Sequence, residues 1–237
     1  MISHHHSTIF VHVPKCGGQS VEDAFLRDLG LSWEQRAPLL LHSNDQPRIG
    51  PRRLAHLTAH EYVKYRYATA EHFDTYYKFA TVRDPVERFV SFFNYQGPKI
   101  RKRSFVKASL GGADADTAGL LDKYLQDTER ALTDPAQKVF GSDDFFSGDF
   151  WFLRPQSDFL FNEGNCLVDD IIVLRDLNDK WSRIQERASL PSSLKNRNTS
   201  VKRITSKDLS VTHVAKIKEL YDVDYALIDF KASRLGD

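Results

Sequence analysis

Thr8-Ile9-Phe10-Val11-His12-Val13-Pro14-Lys15-Cys16-Gly17-Gly18-Gln19-Ser20 is the stretch on which the fold turns. Residues 8–13 are rich in β-branched and aromatic side chains and read as a buried strand. Pro14 ends it, two glycines follow, and a helical pattern runs from Ser20 to about Leu29. The first amides of a helix point outward and its N-terminus is electropositive, which suits an anion. Glycines let the backbone approach a phosphate and adopt φ > 0. Lys15 adds a point charge and Ser20 a hydroxyl, so the segment has the parts of a phosphate cradle, although a plain glycine turn fits it equally well. It is not a Walker A loop, in which Lys follows the last Gly, because Lys15 precedes Gly17 and Gly18. A cysteine-phosphatase loop needs Arg where this chain has Glu22.

A second strand–turn–helix unit lies further along. Tyr76–Val82 reads as a strand and Arg83-Asp84-Pro85 breaks it. Val86, Phe89, Val90 and Phe93 then form an apolar helix stripe, with Asp84 as its cap and Pro85 in its first turn. Arg83 stands at the strand end, where open α/β sheets place ligands. Ser91 lies on the helix away from the Phe89/Phe93 stripe. The two residues make a grip for a second anion, Arg supplying a fork suited to phosphate. Pairing of Arg83 with Asp84 or Glu87 is the alternative, and Arg88 reads as a structural ion-pair residue. A third strand, Ile171–Leu174, precedes a helix from about Asp176 to Arg187. Further helices are expected near 117–133, 149–160 and 206–221, and long loops at 47–53 and 134–148. Alternating strands and helices imply an α/β fold with a parallel β-sheet flanked by helices.

The 237 residues are read as a single domain over 1–237, with residues 1–7, including His4-His5-His6, as a disordered leader. A net charge of +1 argues neither for nucleic acid nor for a membrane surface, and neither partner is expected. The apolar run Ile9–Val13 is too short to span a bilayer, and no signal peptide is evident. Cys16 and Cys166 are the only cysteines, which points to a reducing compartment. Trp33, Trp151 and Trp181 are assigned to core packing.

Acid–base chemistry points to Arg53–Glu61. Thr58-x-x-Glu61 is a capping-box pattern that sets His60 in a first helical turn. The helix dipole there disfavours imidazolium, leaving His60 neutral and able to take a proton. His56 is the second candidate and Glu61 the third. His56 and His60 have metal-ligand spacing, but HLTAH lacks the Glu of HExxH and no third ligand is evident, so no metal is expected.

Together IFVHVPKCGGQS and KFATVRDPVERFVSFFNY resemble the PAPS-dependent sulfotransferase family that includes the carbohydrate O-sulfotransferases. Its pattern is PKxGGxS followed by R-[ND]-P-x-x-R-x-x-S. Weaker echoes are FLRPQSDFL at 152–160, VLRDL at 173–177, NRNTS at 196–200 and YDVDY at 221–225. The resemblance implies a P-loop nucleotide-kinase-like fold, with 3′-phosphoadenosine 5′-phosphosulfate (PAPS) as donor and the bisphosphate PAP as product. Carried over, Lys15, Cys16, Gly17, Gly18, Gln19 and Ser20 line the 5′-phosphosulfate, with Cys16 as packing. Arg83 and Ser91 take the 3′-phosphate, with Arg197 and Ser200 nearby. Gln19 departs from the family, which often has a hydroxyl residue there. Lys15 is expected to neutralise the leaving oxygen, and a histidine base to accept the acceptor proton. The acceptor is a hydroxyl, expected on a carbohydrate. The basic run Lys99, Arg101, Lys102, Arg103 and Lys107 would greet an anionic one, although a solvated face explains it more simply. Lacking the anchor of eukaryotic relatives, the chain is expected in the bacterial cytoplasm. The rival readings are a nucleotide kinase or NTPase and a nucleotide-binding module without turnover.

Overall fold

The computed structural model describes residues 1–104, 115–134, 152–195 and 204–234. The chain divides into two compact units. One comprises Met1–Arg83, Pro155–Thr199 and Leu227–Asp237, the other Asp84–Arg154 and Ser200–Ala226.

The first unit holds the sheet. In chain order it contains β1 (Ile2–Ser3), β2 (Thr8–Val11), α1 (Gly18–Asp28), α2 (Ala59–Lys64), α3 (Ala70–Thr75) and β3 (Tyr77–Val82). After the excursion into the second unit come α6 (Ser157–Leu160), the hairpin β4 (Phe161–Asn162) and β5 (Asn165–Cys166), β6 (Asp170–Val173) and α7 (Trp181–Ala188). The main sheet has the order β1-β2-β3-β6. β2, β3 and β6 run parallel, with Phe10 opposite Phe79 and Thr81 opposite Ile172. Every residue of β2 and β3 is buried, as suits parallel strands covered on both faces and rich in β-branched and aromatic residues. Phe10, Phe79 and Ile172 share one core with Val21 and Phe25 of α1 and Trp181 and Ile184 of α7. The Phe10 and Phe79 rings lie 4.9 Å apart.

The leader expected at residues 1–7 is a correction. Ile2 and Ser3 pair antiparallel with Ile9 and Thr8, and Met1, Ile2 and Ser3 are buried. Two ladder positions were too short a signal beside a histidine triplet, and apolar burial holds them. The other expected elements shift at their ends. The helix expected from Asp176 begins at Trp181, after a 3₁₀ turn at Leu174–Asp176. Of 149–160, the described residues are α-helical only over Ser157–Leu160. The loop at 47–53 contains a 3₁₀ turn, Pro47–Ile49, and Arg53 bridges to Ser43. Residues 135–150 lie outside the described ones.

The second unit is helical: α4 (Pro85–Ser104), α5 (Ala115–Thr133) and α8 (Val211–Leu220). α9 (Asp222–Arg234) ends the described chain. Asp84 caps α4 as expected, its Oδ1 accepting from the Glu87 amide at 3.0 Å. The helix expected over 206–221 splits, because Ser210 caps α8 by accepting from the His213 amide at 3.1 Å. Arg88 is buried and donates to the carbonyls of Arg154 (2.8 Å) and Phe152 (2.6 Å), so its role is structural. Asn94 clamps Ile204 through both backbone groups. Among the described residues, no helix is long and apolar enough to cross a membrane.

Candidate functional site

Because β2, β3 and β6 are parallel, their C-terminal ends share one edge of the sheet. The loop after β2, Arg83 after β3 and Leu174 after β6 all leave from that edge. The loop reaches α1 through two left-handed residues, Lys15 at φ 68° and Gly17 at φ 80°. Glycine adopts that region freely, whereas a lysine held there stores about 1–2 kcal/mol of strain. Such strain concentrates where function fixes the backbone. Gly17 is the N-cap of α1 and offers no side chain to the first-turn amides, and the first turn carries no acidic residue. The helix start thus keeps its positive character toward the loop.

The loop is seated from three sides. A Cβ on Gly18 would stand 2.2 Å from Cδ2 and 2.3 Å from Nε2 of His12. A Cβ on Gly17 would stand 2.5 Å from Cδ1 of Leu174. Gly18 is therefore required by close approach to a ring, and Gly17 by its φ. Thr81 Oγ1 donates to the Cys16 carbonyl at 2.7 Å, and the Cys16 thiol donates to Gln156 Oε1 at 3.2 Å. Cys16 is fully buried, in keeping with packing.

Gln156 ties the loop to Arg83. Its Oε1 accepts from the Arg83 amide and its Nε2 donates to the Arg83 carbonyl, each at 2.8 Å. The carboxamide is fully buried and continues the ladder one residue past the end of β3. Arg83 itself is half-buried at that end.

Beneath the loop lies a histidine–glutamate group that the sequence reading did not single out. His12 Nδ1 lies 2.6 Å from Glu22 Oε1, and both side chains are buried. The His56 ring meets the His12 ring edge-on, centroids 4.3 Å apart, and His56 Nδ1 donates to the His12 carbonyl at 3.0 Å. Burial, reinforced by His12, holds His56 well below its usual range, so it is neutral at pH 7. A neutral imidazole donating from Nδ1 carries its lone pair on Nε2. The signal for His12 was a titratable residue inside an apolar strand run. Glu22 had none, because its partner lies ten residues away on another element.

The other candidates are placed as follows. His60 is exposed at the second position of α2. Glu61 closes the expected capping box, its carboxylate accepting from the Thr58 amide at 2.8 Å. Gln19 is exposed and Ser20 buried at the start of α1. Ser91 is half-buried on α4, in the second unit. Arg197, Ser200, Trp151 and the side chains of the basic run lie outside the described residues. The structure thus brings Lys15–Gly18, His12, His56, Thr81, Gln156 and Arg83 together. Asp169 and Asp170, the pair on which a kinase-type metal site would depend, sit at the opposite end of the sheet. Asp170 there is bound by Tyr77, Arg183 and Arg187.

Residues 1–231 match the family model described as "Sulfotransferase family". No curated protein and no solved structure matches the chain.

Proposed function

The chain belongs to the sulfotransferase family, and we propose that it moves a sulfuryl group from PAPS to an acceptor hydroxyl, with a carbohydrate as the acceptor class. The reading rests above all on the loop. A strained lysine, two glycines packed against His12 and Leu174, and an uncapped helix start meet the end of β3 at Arg83. The two glycines seat the loop on His12 and Leu174, and the helix start keeps its first amides for an anion. Lys15 and the amides from Gly17 to Ser20 would hold the 5′-phosphosulfate, and Arg83 would supply a second anion contact.

In the transfer, the bond from sulfur to the phosphate bridging oxygen breaks as a bond to the acceptor oxygen forms. Lys15 and the helix start neutralise the charge growing on the leaving oxygen. The acceptor proton goes to a histidine. We assign that base to His56 in preference to His60. His56 is held against the loop by the His12 carbonyl and is neutral with its lone pair on Nε2. Glu22 orients His12, which in turn backs both Gly18 and His56.

The test is calorimetric titration with PAP and with ATP–Mg²⁺, followed by transfer of radiolabelled sulfate from PAPS to a panel of carbohydrate and small-alcohol acceptors. Binding of PAP and label transfer to a sugar are expected. Tight ATP–Mg²⁺ binding without PAP binding overturns the donor. PAP binding without transfer to any acceptor indicates a module that binds without turnover.

A further inference from the structure

At the other end of the sheet, the turn between β1 and β2 presents His4, His5, His6 and Ser7 in succession, with Ser7 left-handed at φ 45°. His4 turns toward Tyr76, its Nδ1 2.8 Å from the phenol oxygen. His6 turns inward. Its Nε2 lies 3.0 Å from Oδ2 of Asp28, the last residue of α1, and its Nδ1 lies 2.7 Å from Ser3 Oγ. The His5 ring stands beside the His6 ring, centroids 4.8 Å apart at 84°. One ligand atom from each of His5, His6 and Asp28 falls within 4.8 Å of the others.

We propose that His5, His6 and Asp28 form a binding site for a divalent transition-metal ion of the zinc type, at the edge of the sheet away from the phosphate loop. Two imidazoles and one carboxylate suit Zn²⁺, Co²⁺ or Ni²⁺, whereas Mg²⁺ and Ca²⁺ take all-oxygen sets. Zinc ligands stand about 2.0–2.2 Å from the metal, so neighbouring ligands are roughly 3 Å apart. The 3.0 Å between His6 Nε2 and Asp28 Oδ2 is that spacing. His6 and Asp28 are anchored in the fold, with side chains 1% and 15% exposed. The exposed His5 needs only a small swing to close the set. Ser3 Oγ stands where an outer partner accepts from Nδ1–H and leaves the Nε2 lone pair to the ion. A pocket of about 470 Å³, lined in part by His5, His6, Lys78 and Arg187, gives an entry path. A simple His6–Asp28 ion pair would not need His5 beside it. With His4 turned away, the triplet works as two ligands and a spacer strut.

The full chain, purified without a histidine tag and stripped by chelator, is titrated with Zn²⁺ alone by calorimetry and with Co²⁺ by visible absorption. The expected result is one strong equivalent, with a rise in melting temperature. His5→Ala, on an exposed side chain, and Asp28→Asn should each weaken Zn²⁺ by more than about tenfold. Ser3→Ala should weaken it by about 10–100-fold as an outer partner does. His4→Ala should leave the affinity unchanged. No strong equivalent in the parent chain, or equal affinity in the parent, His5→Ala and Asp28→Asn chains, overturns the site.

Discussion

Gly18→Ala probes how closely the loop is seated on His12. The added methyl would stand 2.2, 2.3 and 2.6 Å from three ring atoms, against about 3.5–4.0 Å for an unstrained carbon contact. The ring must therefore retreat by about 1 Å or more, and its surroundings oppose that. Glu22 holds Nδ1 at 2.6 Å, the His56 ring backs one side at 4.3 Å, and Phe10 stacks at 5.6 Å. Gly18 itself is helical, so alanine brings no backbone strain. The cost is that of overpacking, about 1–3 kcal/mol, and each kcal/mol lowers the melting temperature by about 2–4 °C in a chain of this size. PAP affinity should fall as the cradle shifts. The assay is thermal unfolding and PAP titration of Gly18→Ala in the parent and in His12→Ala. With the ring gone, the methyl has nothing to meet and the cost should vanish, a coupling of about 1–3 kcal/mol between contacting sites. Equal destabilisation in both backgrounds, or a Gly18→Ala chain that melts and binds like the parent, refutes the reasoning.

Lys15→Ala and Lys15→Gly should both lose about 10²–10³ in turnover, while the glycine variant is the more stable of the two by about 1 kcal/mol, because φ 68° costs it nothing; equal melting temperatures count against the strain. Gln156→Ala leaves the Arg83 amide and carbonyl without their clamp and should destabilise by about 2–4 kcal/mol, measured by denaturant unfolding, with PAP affinity lowered in parallel. His56→Ala should cut turnover by about 10²–10⁴ with PAP affinity kept. In the parent chain the acid limb of kcat/KM should lie below pH 6.5, since folded His56 resists protonation. Below that pH the unfolded chain takes up a proton that folded His56 refuses, so stability declines as pH falls, and His56→Gln should flatten part of that decline.

The strand–loop–helix units were legible because Thr8–Val13 and Tyr76–Val82 are rich in β-branched and aromatic residues and are closed by Pro14 and by Arg83-Asp84-Pro85, signals that need no tertiary context. The box of Thr58 and Glu61 was legible for the same reason. The supports of the site were not. Gln156 meets Arg83 across 73 residues and Glu22 meets His12 between a strand end and a helix, contacts that follow from the parallel pairing of β2, β3 and β6 rather than from local pattern. The histidines show the limit most clearly. Dipole reasoning favoured His60, whereas the proposed base, His56, is held neutral by burial and by His12, and burial is a property of the assembled sheet.

The Gln156 carboxamide has a consequence for how this unit can vary. It meets Arg83 as a neighbouring strand would, giving one donor and one acceptor, so it works as a detachable rung. The hairpin β4–β5 that follows is joined to this position only through the short α6. The hairpin turn at Glu163-Gly164 can therefore be lengthened or exchanged without re-aiming the arginine, whereas Val168 belongs to the core and Asp169 accepts from the Lys78 amide. The backbone at Arg83, and with it the proposed anion contact, is set by a single side chain, and the hairpin turn beyond α6 is left open to remodelling.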